Sequence, residues 1–158
     1  MTLDGNLATQ LRQGAAALAV AAALVAGCST TEAPRPSDPA VPLAGTFWTL
    51  VEAGGKASSA ALPGDREPYI RLDDATMRVT GYAGVNNLMG GYQTSGTSLA
   101  FSLLATTRRA GPPPAMELES TVLRALGSTR SYRIAGETLE LLDAEGSPVA
   151  RLQAKPAP

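Results

Sequence analysis

Residues Tyr69 to Phe101 read YIRLDDATMRVTGYAGVNNLMGGYQTSGTSLAF, and the fold is decided there. Apolar residues fall in short runs, Tyr69–Leu72, Thr76–Tyr82, Met89–Thr94 and Ser98–Phe101, separated by Asp, Gly, Asn and Ser. Runs of this length, rich in β-branched and aromatic residues and bounded by turn formers, suit strands with one buried face. Asp73-Asp74-Ala75 and Ser95-Gly96-Thr97 are connections short enough for hairpins. The stretch therefore predicts a meander of antiparallel strands.

The pattern extends to either side. Thr46–Val51 (TFWTLV) makes a first strand that stops at Gly54-Gly55. Tyr132–Ile134 and Thr138–Leu142 flank Gly136, and Val149–Leu152 follows Asp143-Ala144-Glu145-Gly146. One segment breaks the period. In Pro114–Leu126 (PAMELESTVLRAL), Ala115, Leu118, Val122, Ala125 and Leu126 recur at helical spacing, with a proline to open the helix and Gly127 to stop it. Glu117 near its start and Arg124 near its end suit the helix dipole. A single helix cannot bury its apolar stripe alone, so it must pack on the sheet or plug one end of a barrel. The predicted class is mainly β: a strongly bent antiparallel sheet, or partly open barrel, of about eight short strands with one helical insertion packed on it.

Upstream of the strands the chain carries an address. Ala15–Ala26 (AAALAVAAALVA) is an unbroken apolar run of twelve, preceded by Arg12 and ended by Gly27-Cys28. It is too short for a bilayer span, which needs about 20 residues, but it fits the apolar region of a secretory signal. Val25-Ala26-Gly27 places small residues before the sole cysteine. This junction resembles a bacterial lipobox, which implies that Cys28 receives a diacylglyceryl thioether and becomes the acylated, palmitate-bearing N-terminus of a lipoprotein. Two or three acyl chains, at about 0.8 kcal/mol per methylene, anchor stably. Ser29–Pro42, with four prolines, reads as an extended spacer of roughly 40 Å. Ser rather than Asp after the cysteine implies, in a diderm host, sorting to the outer membrane. The chain thus divides into a signal peptide (1–27), an acylated cysteine and tether (28–42), a folded domain (43–153) and a tail (154–158).

Composition excludes much else. The 158 residues carry a formal net charge of −1, 17% charged residues and no histidine. No basic field is present to hold a phosphate backbone, so nucleic acid is not an expected partner. Without histidine and with one cysteine, imidazole triads, Cys/His dyads and His/Cys zinc sites cannot form.

Three further pieces carry a resemblance. Leu43–Leu50 (LAGTFWTL), Gly81–Asn87 (GYAGVNN) and Ala105–Pro112 (ATTRRAGP) followed by Ala115-Met116-Glu117, in this order and spacing and with the closing YRI/LEL hairpin at 132–134 and 139–141, are similar to the META domain of HslJ-like envelope proteins. The resemblance implies a link to envelope stress or antibiotic tolerance and brings no reaction or ligand with it. It also exposes a departure. Family members commonly carry a pair of cysteines, implied to form a disulfide, where this chain has Val85 and Gly111; Pro112-Pro113-Pro114 offsets part of that lost restraint by stiffening the loop.

Candidate chemistry is sparse. Glu117 and Glu119, two apart on a helix, point to different sides and read as solvated; Asp73 and Asp74 read as turn formers. Lys56 and Lys155, the only lysines, belong to no Ser-x-x-Lys arrangement, and the acidic residues match no calcium loop. No metal or cofactor is expected. The glycine- and amide-rich stretch holding Gly84, Asn86 and Asn87 lacks the lysine and helix of a phosphate loop, so backbone geometry explains it better, with Asn86 bonding local backbone. Arg108 and Arg109 should point to opposite sides, Arg108 meeting a carboxylate or carbonyls at the rim. Gly84, Asn86, Asn87 and Arg108 remain the candidate binding residues. The expected function is a non-catalytic domain that binds or buttresses an envelope component. A carrier of a lipid or small apolar ligand is the alternative, and a carboxylate-based hydrolase a remote third. Either Phe47/Thr49/Val51 or Trp48/Leu50, with Met77, Val79, Leu139, Leu141, Ala150, Leu152, Leu118 and Val122, should fill the interior and leave no ligand-sized space.

Overall fold

The structure, a computed structural model, describes residues 41–58 and 66–156; the leader, Cys28 and the tether as far as residue 40 lie outside the described residues. The elements are β1 (Phe47–Ala53), β2 (Lys56–Ala57), β3 (Tyr69–Asp73), β4 (Arg78–Tyr82), β5 (Asn87–Ser95), β6 (Ser98–Thr106), α1 (Pro113–Ser128), β7 (Ser131–Ala135), β8 (Thr138–Leu142) and β9 (Pro148–Lys155). All pairings are antiparallel, in one nine-stranded, strongly curved sheet of order β2-β1-β3-β4-β5-β6-β7-β8-β9, and β9 also pairs with β1. The predicted class therefore holds, with the two-residue β2 added by its pairing to the end of β1. β9 continues through Ala154 and Lys155, into the segment assigned to the tail.

Alternation along each strand selects what goes inside. Trp48 and Leu50, Ile70 and Leu72, Val79, Leu88, Leu139 and Leu141, Ala150 and Leu152 meet Leu118, Val122, Ala125 and Leu126 of α1 in one core. The Trp48 indole N–H donates to the Leu43 carbonyl at 2.9 Å, which satisfies its polar atom. A bulge after Leu50 turns Val51 out to solvent. The cavity lined by Leu50, Ile70, Val122, Leu141 and Leu152 measures about 10 Å³, less than one water needs. The interior is filled by its own side chains.

β6 and β7 share a single paired position, Ser98 with Ser131. α1 closes this seam: it contacts β6, β9, β1 and β8 and buries Ala115, Leu118, Glu119, Val122, Ala125 and Leu126. The helix runs one residue past Gly127 and ends where the Thr129 hydroxyl donates to the Ala125 carbonyl at 2.8 Å. Neither Glu117 nor Arg124 lies in a terminal turn, so the expected dipole pairing does not occur.

Two non-glycine residues have left-handed backbones, Met77 (φ 53°) and Leu103 (φ 51°). Each costs on the order of 1–2 kcal/mol. Met77 was expected in a strand and in the core, but Asp73 Oδ1 accepts from the Thr76 amide (2.8 Å) and hydroxyl (2.7 Å), which draws Thr76 and Met77 into the turn and leaves Met77 exposed. Leu103 lies in a bulge, where the register with β5 shifts between Met89 and Gly91.

Gly81 is the tightest backbone approach in the sheet: a Cβ there would stand 2.1 Å from the Tyr69 carbonyl oxygen on β3. Gly81→Ala must separate β3 from β4, and urea unfolding is expected to register a loss of about 3 kcal/mol.

Candidate functional site

The β4–β5 loop, Ala83–Asn86, and the segment from Thr107 into α1 meet at one buried polar cluster. Gly84 allows the approach. Its φ is +133°, and a Cβ would lie 3.1 Å from the Ala115 carbonyl oxygen, so only glycine brings this loop onto the helix. Asn86, 2% exposed, then turns inward. Its Nδ2 donates to the Arg109 carbonyl (3.1 Å) and to Glu119 Oε1 (3.0 Å), while its Oδ1 accepts from the Thr107 hydroxyl (2.8 Å) and the Arg109 amide (2.7 Å). Both donors and both lone pairs of the amide are used.

Glu119, read from sequence as solvated, is 6% exposed. Its Oε2 accepts from the backbone amides of Val85 (3.2 Å) and Asn86 (2.8 Å). The sequence rule failed because helical periodicity marks which side a residue takes but not whether donors await a carboxylate there. Glu117, two residues earlier, does face solvent, paired with Lys56 at 2.7 Å; that hydrogen bond and charge hold its carboxyl below the usual carboxylate range.

The candidate residues divide accordingly. Gly84 and Asn86 belong to the cluster, and Asn86 bonds backbone more than twenty residues away rather than locally. Asn87 is exposed; its side-chain oxygen accepts from Arg66 at 3.2 Å, and Arg66 in turn lies 4.0 Å over the Tyr82 ring. Arg108 and Arg109 are both exposed, because β6 ends at Thr106 and strand alternation no longer applies. Among the described residues no carboxylate or carbonyl accepts from the Arg108 side chain, so the expected rim contact is not formed among them. Three of the four lone pairs of the Glu119 carboxylate are occupied by donors of its own chain. Its role in this geometry is to fasten loop to helix.

A groove that the sequence did not signal runs between the β1–β2 turn and α1. Gly54, Lys56, Glu117, Thr121 and Arg124 line it, in two adjoining spaces of about 180 and 550 Å³ open to solvent. The turn is set by Gly54 and Gly55, with φ of 55° and 76°. A two-residue strand such as β2 leaves no periodic trace, so the wall was not legible.

Val85 and Gly111 face each other beside the cluster. A Cβ built on Gly111 would stand 3.3 Å from Val85 Cβ, close to the roughly 3.8 Å mean of disulfides. The two positions matched to the family's cysteine pair are therefore neighbours in space.

Sheet, helix and buried cluster define a class of small, mainly β domains in which one helix closes the seam of a curved antiparallel sheet. A family model described as META domain matches residues 41–156, and the chain belongs to that family. The fold is similar to that of a Burkholderia xenovorans protein solved by NMR (25% identity, covering 82% of this chain and 97% of that one, TM-score 0.57). It is also similar to the crystal structure of a DUF4847 family protein from Bacteroides vulgatus (14% identity, 73% and 96% coverage, TM-score 0.52), a likeness of fold alone. No curated protein matches the sequence.

Two outcomes are expected. Glu119→Gln places an NH2 group against donors that need an acceptor, and should cost about 2 kcal/mol in urea unfolding, with faster amide exchange at Val85 and Asn86. The double change Val85→Cys with Gly111→Cys should close a loop of about 25 residues and add about 3 kcal/mol under oxidising conditions. A thiol count that falls by two on oxidation checks the bond.

Proposed function

We propose that this chain is an exported lipoprotein, acylated at Cys28, whose META domain is a non-catalytic scaffold that binds or buttresses an envelope component from its outer surface. The observation that carries the reading is the filled interior: the core cavity is about 10 Å³, against roughly 300 Å³ or more for ligand pockets. The buried polar groups are likewise turned inward. Among the described residues no buried side-chain nitrogen or oxygen lacks a partner, and the Asn86–Glu119 cluster satisfies itself. What remains available is the exterior. The anchor is read from the sequence, where the apolar run of 15–26 ends in small residues before Cys28. Outer-membrane placement rests on Ser29, and a part in envelope stress or antibiotic tolerance rests on the family resemblance.

In a diderm expression host, labelled palmitate should appear on the wild-type protein, and the protein should fractionate with the outer membrane. Cys28→Ser should abolish the label and yield uncleaved precursor or soluble protein. A Ser variant that keeps wild-type mobility and remains in the outer-membrane fraction would refute the lipoprotein reading. Native mass spectrometry addresses the carrier alternative: a stoichiometric apolar ligand, displaced by a bulky substitution at Val79 or Leu141, would replace the scaffold with a carrier.

A further inference from the structure

Four large apolar side chains are exposed among the described residues, and three of them, Met77 (39%), Met89 (46%) and Leu103 (90%), gather on one face. Gly91 is the centre of that face. It lies opposite Arg78 on β4 and Ser102 on β6. A Cβ built on it would meet only the Ser102 hydroxyl (3.1 Å) and backbone oxygens of Met77 and Ser102 (3.8 and 3.9 Å), so the surface is low there. Met77 precedes Arg78 on one flank, Leu103 follows Ser102 on the other, and Met89 lies two residues along β5 on the same side. The residues opposite Met89 are Thr80 and Ala105, both small. Two of the three side chains stand on left-handed backbones that a glycine or asparagine would adopt without strain. The strained conformations hold these large apolar groups outward, on the solvent side of the sheet.

The same end of the domain receives the tether. The Gly45 amide donates to the Leu72 carbonyl (2.9 Å), one residue before the β3–β4 turn that ends in Met77, and the Val41 amide donates to Gly136 on the neighbouring β7–β8 turn. Twelve residues separate Cys28 from Val41, a reach of at most roughly 40 Å. An anchored domain on so short a leash experiences the bilayer at a millimolar-scale effective concentration. Three side chains fall short of the roughly 800 Å² per partner of a stable protein interface, but unbranched, pliable Met and Leu suit insertion at the acyl boundary.

We propose that the outer face around Gly91, with Met77, Met89 and Leu103, is a membrane-contact surface that lays the tethered domain on the lipid bilayer. The proposal rests on the reading of Cys28 as the anchor. Arg71 and Arg78 stand with Asp73 and Asp74 at the margin of the patch, so its charge is balanced and apolar insertion, insensitive to salt, drives the contact.

The test bypasses acylation. The chain from Cys28 onward, which contains every described residue, is coupled through its only thiol to maleimide-lipid vesicles of phosphatidylethanolamine and phosphatidylglycerol, and peroxide oxidation of methionines is followed by mass spectrometry. Met77 and Met89 should oxidise severalfold more slowly on vesicles than in solution, at low and high salt alike, while Met116 on α1 is unchanged. Leu103→Gly should raise the thermal midpoint by relieving strain and yet restore much of the Met89 oxidation rate. Equal rates on vesicles and in solution, with coupling verified, would overturn the proposal and leave the acylation result untouched. Protection of the same methionines in free protein that sediments as a dimer would overturn it in favour of a second copy of the chain.

Discussion

The Glu119 carboxylate accepts from two successive backbone amides of the β4–β5 loop and from the Asn86 side chain, and through that side chain it reaches the segment between β6 and α1. Four parts of the chain are tied at this point: the loop, the exit of β6, the approach to the helix and the helix itself. The position matters because β6 and β7 meet at one register pair, so backbone pairing alone does not close the sheet there. The helix supplies the closure, and the carboxylate holds the helix. Burying an ion is expensive, and here three donors from within the chain offset the lost hydration.

The second constraint is volume. A sheet curved enough for β9 to return to β1 encloses a space that must be filled or must hold something. Trp48, the leucines of β3, β8 and β9, and the apolar stripe of α1 fill it. The open features of the described residues are then on the outside: the groove beside Lys56 and Glu117, the Arg66–Tyr82 corner, and the apolar face around Gly91. These surfaces lie on loops, a bulge and strand ends, where sequence change perturbs packing least.

Legibility in the sequence followed the strength of local signals. Every strand of five or more residues and the helix were located, since alternation, helical spacing, Pro114 and the hairpin glycines all act locally, but β6 was read only to Phe101 and β9 only to Leu152, short of their ends at Thr106 and Lys155. What failed depended on distant partners. Glu119 looked solvated because its donors lie more than thirty residues away. Met77 looked like strand because the Asp73 side chain, not hydropathy, shapes that turn. Arg108 and Arg109 were given alternate sides by a strand that ends before them. The fastening role of Asn86 was half visible: its preference for backbone partners was foreseen, its reach to Arg109 and Glu119 was not.

The pairing of β1 with β9 has a bearing on the order in which the molecule comes together. Phe47 lies beside Lys155, so the first long strand lacks one of its neighbours until β9 has been made. Joining ends so far apart carries a loop-closure cost that local hairpins do not, so the meander of β3 to β6 can form early while Trp48 still lacks half its cover. A nascent chain therefore cannot complete its core ahead of β9. The topology makes β9 the strand that locks the fold, and under the proposed export it would keep the chain passable through a translocation pore until that strand emerged.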